Sequence, residues 1–195
     1  MKINIILMAG GNSIRFGENK LLYEYNGKPL YKIALENIIN GFLKCPYDWN
    51  VIVVTQYEEI KNYIDITYKN TNIYSVLSHK SCYGVSYTVK AGILSKYCNG
   101  EWYMFAVCDQ PFMKSETYLR LFLETLNSKK GIGTLIYNNR EGNPIVFNSV
   151  YKNELLSLEG DRGGRNVLKK HRDDVYYCEV YCEKELYDID TKNFL

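Results

Sequence analysis

Three apolar runs constrain this chain more than anything else in it. Ile3–Met8 (INIILM), Asn50–Thr55 (NVIVVT) and Trp102–Cys108 (WYMFAVC) have almost no polar residues to alternate with the apolar ones. A strand that is apolar on both faces must be covered on both faces. That is the condition of a parallel sheet held between helices. Helical patterns separate the runs. Leu30, Ile33, Ala34, Ile38 and Phe42 recur at helical spacing, and Tyr57–Tyr63 has helical charge patterning. Ser115–Leu126 reads as a further helix with Ser115 at its N-cap. Shorter strands are expected at Thr71–Val76, Gly133–Tyr137 and Val175–Val180. Strands alternating with helices predict βαβ units and a mainly parallel sheet in an α/β fold. At 195 residues, one domain spanning 1–195 with a sizeable core is expected.

The first run breaks into Ala9-Gly10-Gly11-Asn12-Ser13, with Arg15, Gly17 and Lys20 following. Glycines let a backbone pass close to a ligand, and exposed N–H groups cradle phosphate oxygens. Two cations can offset the charge that grows as pyrophosphate leaves. The stretch therefore suits a nucleoside triphosphate. It lacks both the G-x-x-x-x-G-K-[ST] loop and dinucleotide-binding spacing, which argues against P-loop NTPases and Rossmann oxidoreductases. The third run ends in Asp109-Gln110-Pro111. Ligands of open parallel sheets bind beyond the carboxyl ends of strands, where a carboxylate can hold a hard divalent cation such as Mg²⁺. Cys108, just before it, reads as a buried small hydrophobe and not as a nucleophile.

A formal net charge of +2 without a basic block argues against nucleic acid as a partner. No window approaches 18 uninterrupted apolar residues, so no membrane span is expected. The first residues read as a strand and not as a signal peptide. Six cysteines lack C-x-x-C pairing, which points to reduced thiols and a cytoplasmic location.

The later chain adds polar, glycine-containing stretches. His79–Leu94 joins a polar loop to a helix with Val89, Ile93 and Leu94 facing inward, and Ser86 could be its N-cap. Gly142-Asn143-Pro144 reads as a turn feeding a strand. In Leu158–Leu168 (LEGDRGGRNVL), Arg165 can contact a phosphate in bidentate fashion. Asp161 could orient that arginine or cap a helix beginning near Gly164. His171 reads as a solvated helix end. Leu186–Thr191 (LYDIDT) would set Asp188 and Asp190 on one side of an extended segment.

Taken in order, these stretches resemble a known family. LMAGGNSIRFGENKLL is similar to the L-A-[AG]-G-x-S-x-R-[MF]-G-x-x-K signature of MobA-like nucleotidyltransferases, which include the molybdenum cofactor cytidylyl- and guanylyltransferases. Gly84-Val85-Ser86, Asp109-Gln110-Pro111, Gly160-Asp161-Arg162-Gly163-Gly164-Arg165 and Asp188-Ile189-Asp190-Thr191 resemble further motifs of that family.

The resemblance implies a Rossmann-like three-layer α/β/α nucleotidyltransferase fold with a mainly parallel mixed sheet. It also implies nucleotide transfer with Mg²⁺. Arg15, Lys20 and Asp109 would be catalytic. Ala9, Gly10, Gly11, Lys20, Gly84, Ser86 and Asp109 would bind nucleotide. Gly142, Pro144, Asp161, Gly163 and Arg165 would face the acceptor, and Asp109 with Asp190 would hold the metal. The GDRGGR and DIDT elements favour CTP as nucleotide and molybdopterin as acceptor, with a molybdenum hydroxylase apoenzyme as a further partner. Gly10-Gly11, by contrast, is guanylyl-like. The alternatives are guanylyl transfer to the same cofactor, transfer to a sugar or alditol phosphate, and a non-catalytic accessory protein that binds the cofactor.

Overall fold

The structure, a computed structural model, describes residues 1–13, 16, 17 and 19–190. Strand β1 (Lys2–Ala9) lies inside a seven-stranded sheet, flanked by β4 (Asp48–Thr55) and β6 (Trp102–Val107). β5 (Ile73–Leu77) lies outside β4, while β8 (Arg140–Asn148), β7 (Ile132–Tyr137) and β9 (Val175–Glu179) continue beyond β6. The pairs β1–β4, β1–β6, β4–β5 and β7–β9 are parallel, and β8 runs antiparallel to both neighbours. The sheet is thus mixed and mainly parallel, as expected.

Each central strand divides its side chains between two cores with a period of two. Ile3, Ile5 and Leu7 of β1 face the same layer as Val51, Val53, Met104 and Ala106. Helices α1 (Leu30–Phe42), α2 (Glu58–Thr67) and α4 (Ser115–Asn127) cover this layer through residues such as Leu35, Ile60 and Phe122. Ile6, Ile52, Val54 and Phe105 face the opposite layer. There α3 (Val85–Leu94), α5 (Lys152–Leu156) and α6 (Gly164–Lys170) contribute Val89, Leu155 and Val167. The result is the three-layer α/β/α arrangement. A small hairpin, β2 (Glu24–Tyr25) and β3 (Lys28–Pro29), turns at Asn26-Gly27, where both residues have positive φ. Among the described residues no helix is long and apolar enough to cross a membrane.

Several local expectations are corrected. Lys114, not Ser115, is the N-cap of α4, and the carboxylate of Glu185 accepts the Lys114 N–H at 3.3 Å and the Thr117 hydroxyl at 2.6 Å. Leu94 points outward and is 68% exposed, because α3 ends there and the sheet lies under Val89 and Ile93. His171 is not a free helix end: its ring bonds Glu154 at 2.7 Å and lies against Tyr151. Gly142 and Pro144 are not in a turn but within β8. The β7–β8 register slips there, pairing Thr134 with Ile145 and Leu135 with Gly142. A proline has no N–H for the ladder, and an irregularity of this kind accommodates it.

Candidate functional site

The sheet order puts a crevice where its winding reverses. From β1 the chain moves outward to β4 and β5, then crosses to the other side of β1 as β6. The carboxyl ends of β1 and β6 are where a doubly wound sheet binds ligands. A cleft of about 480 Å³ opens there, lined by Gly10 and Gly11 after β1 and by Cys108 and Asp109 after β6.

Lys20 sits in this cleft between two carboxylates. Its Nζ lies 2.7 Å from Asp109 Oδ2 and 3.3 Å from Asp190 Oδ1. Burial works against the ammonium charge, but Asp109 and then Asp190 more than offset it, so the amine titrates above its ordinary value. The loop carrying Lys20 is fixed from within: Ser13 Oγ accepts the Lys20 N–H at 3.0 Å, and Asn19 Oδ1 accepts the Leu21 N–H at 3.1 Å.

The segment ending at Asp190 is strapped to the strand end. The Ile189 N–H donates to the Asp109 carbonyl at 2.9 Å, and Gln110 Nε2 donates to Asp188 Oδ1 at 2.8 Å. Ile189 is fully buried in a small separate cluster with Phe16 and Leu30. Asp188 is therefore held back from the cleft. Burial pushes its carboxyl pKa up, with the nearby Asp109 charge adding to the effect and the Gln110 hydrogen bond opposing it.

The donor set admits a hard cation. Asp109 Oδ1 is buried without a hydrogen-bond partner among the described residues, and Asp190 adds a half-exposed carboxylate. Mg²⁺ takes one or two carboxylates and completes its shell with water and phosphate oxygens, which this pair fits. Among the described residues no group of three His, Cys, Asp or Glu side chains is gathered to hold an ion alone.

The glycine loop rests on polar contacts that sequence reasoning missed. Gln56 Nε2 donates to the Gly10 carbonyl at 2.8 Å and to Asn12 Oδ1 at 2.9 Å. Tyr57 donates its hydroxyl to the Gly11 carbonyl at 2.8 Å, and Asn12 Nδ2 donates to the Cys82 carbonyl at 2.7 Å. Gln56 and Tyr57 directly follow β4, the same strand-end position that made Asp109 a candidate.

Other expected residues divide. Gly10, Gly11, Lys20, Gly84, Asp109, Asp161 and Asp190 all line the cleft. Ala9 is the last residue of β1 and faces the core. Gly84 has φ +137° and caps α3, and a Cβ there would lie 2.4 Å from the Gly160 carbonyl group. The N-cap role considered for Ser86 is therefore Gly84's. Ser86 N–H donates to the Gly160 carbonyl at 3.1 Å, and its buried hydroxyl has no partner among the described residues. Gly163 is the N-cap of α6 and packs near Val85, so Asp161 does not cap that helix. Arg165 is exposed and reaches the Glu141 carbonyl at 3.4 Å, outside the described lining of the cleft. Gly142 lies against Leu186, and Pro144 is buried in β8; neither lines the cleft. Arg15 lies outside the described residues.

Residues 5–175 match the family described as the MobA-like NTP transferase domain. A probable molybdenum cofactor guanylyltransferase of Thermococcus sibiricus is 38% identical over 58 residues, covering 30% of this chain and 28% of that protein. One of the same description from Bacillus cereus is 22% identical over 153 residues, covering 78% and 72%. The chain thus spans between about a quarter and three quarters of the length of these relatives. Among solved structures, a nucleotidyl transferase from Methanothermobacter superposes with a TM-score of 0.76 at 17% identity, covering 98% of this chain and 93% of that one.

Proposed function

The chain belongs to the MobA-like NTP transferase family, and on that premise we propose that it transfers a nucleotidyl group from GTP to the terminal phosphate of a molybdopterin acceptor. Family membership supports nucleotidyltransferase activity. The guanylyl choice draws on the names of its relatives and on Gly10-Gly11, and it replaces the CTP expected from the later motifs. The observation that carries the reading is Lys20 held between Asp109 and Asp190 in the cleft at the reversal of the sheet.

In this reading an acceptor phosphate oxygen attacks the α-phosphorus. The new O–P bond forms as the bond to the β-phosphate breaks, and its electron pair leaves with pyrophosphate. The Gly10-Gly11 backbone lies against the triphosphate, with its carbonyls already engaged by Gln56 and Tyr57. Lys20 carries its proton throughout and offsets charge on the departing pyrophosphate. Asp109 and Asp190 would hold Mg²⁺, which when bound neutralises phosphate charge. Alignment and charge neutralisation supply the rate enhancement, so no covalent nucleophile on the enzyme is needed. Buried Cys108, its thiol pushed up by burial, stays out of the chemistry.

The test is Mg²⁺-dependent pyrophosphate release with purified molybdopterin and each of GTP, CTP, ATP and UTP. Release is expected with GTP and is expected to fall by about 10²-fold or more in Asp109→Asn with unchanged circular dichroism. Release with CTP in place of GTP would restore the cytidylyl assignment. Failure with all four nucleotides would remove the transferase reading with this acceptor.

A further inference from the structure

One wall of the cleft carries an aromatic ring that the phosphate chemistry leaves without a role. Tyr83 lines the cleft and is nevertheless 71% exposed. Its backbone is well held, because it ends a short 3-10 turn, His79–Tyr83. The Gly84 N–H closes on the Ser81 carbonyl at 3.3 Å, and the Cys82 carbonyl is tied to Asn12 of the glycine loop at 2.7 Å. Tyr87 meets the ring in a T-shaped contact with centroids 6.1 Å apart, which leaves most of its surface open.

Two hydroxyl side chains, Ser81 and Thr88, line the same cleft. Ser81 is 4% exposed, and its Oγ has no hydrogen-bond partner among the described residues. Thr88 is 3% exposed. Gly10 comes so close that a Cβ on it would lie 3.0 Å from both Ser81 Oγ and Thr88 Oγ1. An open π surface in a cleft that also carries a buried hydroxyl without a partner among the described residues can hold a planar heteroaromatic ring: the face stacks and the edge is hydrogen-bonded.

We propose that Tyr83 is the stacking platform for the nucleobase, with Ser81 at its edge, a proposal that rests on the nucleoside triphosphate reading above. Lys20 and Asp109 mark the phosphate end of the cleft. The turn carrying Tyr83 is bonded to Asn12, in the loop that would lie along the phosphates, and this brings the base of a nucleotide on that loop to the tyrosine. Stacking is tolerant of base identity, so Tyr83 supplies affinity to every nucleotide, more to a purine with its larger face.

The test measures binding of GTP, CTP and inorganic tripolyphosphate by calorimetry, in Mg²⁺ buffer without acceptor, to the wild type, Tyr83→Phe and Tyr83→Ala. Tyr83→Ala is expected to weaken both nucleotides by roughly tenfold or more, GTP more than CTP. Tyr83→Phe keeps the stacking face and is expected to bind within about twofold of the wild type. Tripolyphosphate, which has no base, is expected to bind all three proteins equally. Equal nucleotide affinity in Tyr83→Ala and wild type overturns the platform alone, as does an equal loss for tripolyphosphate. A wild type that binds neither nucleotide overturns the platform and the transferase reading together.

Discussion

Lys20, Asp109, Asp188 and Asp190 crowd three carboxylates around one ammonium, and their positions separate their roles. Asp109 and Asp190 contact Lys20, whereas Asp188 is turned onto Gln110. While its partner carboxylates are ionised, the raised pKa of Lys20 means that its pairing stabilises the fold below the ordinary lysine value and is lost as pH rises through the raised one. Asp188 has the opposite sign. Its raised carboxyl pKa lowers stability as pH climbs from the unfolded value of 3.8 through the folded one. Asp188→Asn keeps an oxygen for Gln110 and removes the charge. It is expected to raise the melting temperature by about 1–2 °C at pH 7, ~0.5 kcal/mol once solvent screening is allowed for. The gain should vanish below about pH 4, where both states are protonated, and a melting series from pH 3 to 8 checks it. Asp109 and Lys20 could be picked out in the sequence because each follows a strand or glycine loop in a recognisable string. Gln56 could not, since it acts through a hydrogen bond to a segment 44 residues away, nor could Tyr83, whose neighbour Cys82 is tied to Asn12 across 70 residues.

At the scale of elements, the helix that starts at Gly84 and the turn at Gly160 meet backbone to backbone. No side chain fits between them. Gly84→Ala must place a Cβ on the Gly160 carbonyl and hold φ +137°, a combination expected to cost about 2–5 kcal/mol. Gly11→Ala meets nothing within 4 Å and should stay within about 0.5 kcal/mol of the parent. Urea denaturation of the two variants, read as midpoints at constant m-value, separates a packing glycine from one with open space beside it. Both look alike in the sequence, as glycines in stretches that resemble a family motif. The same blindness affects β8. Gly142-Asn143-Pro144 has the composition of a turn, yet pairing with β7 at Gly142 and again at Ile145 carries the strand through it. Tertiary pairing overrides local propensity there, and it places Gly142 under Leu186 and away from the cleft.

Across the whole molecule, the α/β layering was legible because each apolar run could be satisfied only by cover on both faces. The strand order was not, since β8 inserts antiparallel between β6 and β7 and nothing local requires that. The cysteines test the layering directly. Cys108 and Cys178 are buried in the layer under α1 and α4, while Cys82 and Cys182 are partly open. Burial also raises the thiol pKa of Cys45, of Cys98 to about 11 and of Cys178 to about 12. With a disulfide reagent at pH 8, Cys82 and Cys182 are expected to react first, and Cys108 and Cys178 only after denaturant is added. Cys82 lines the cleft, so bound GTP should slow its reaction but not that of Cys182. Finally, the bonds from Asp190 to Lys20 and from Ile189 to Asp109 join segments 170 and 80 residues apart. A ribosome must therefore deliver residue 190 before Lys20 acquires its second carboxylate partner. Until then the glycine loop, made among the first residues, lacks the Ile189 side chain that packs against Phe16. The full set of contacts around Lys20 thus arrives late in synthesis, after the parallel sheet around β1 can already have formed.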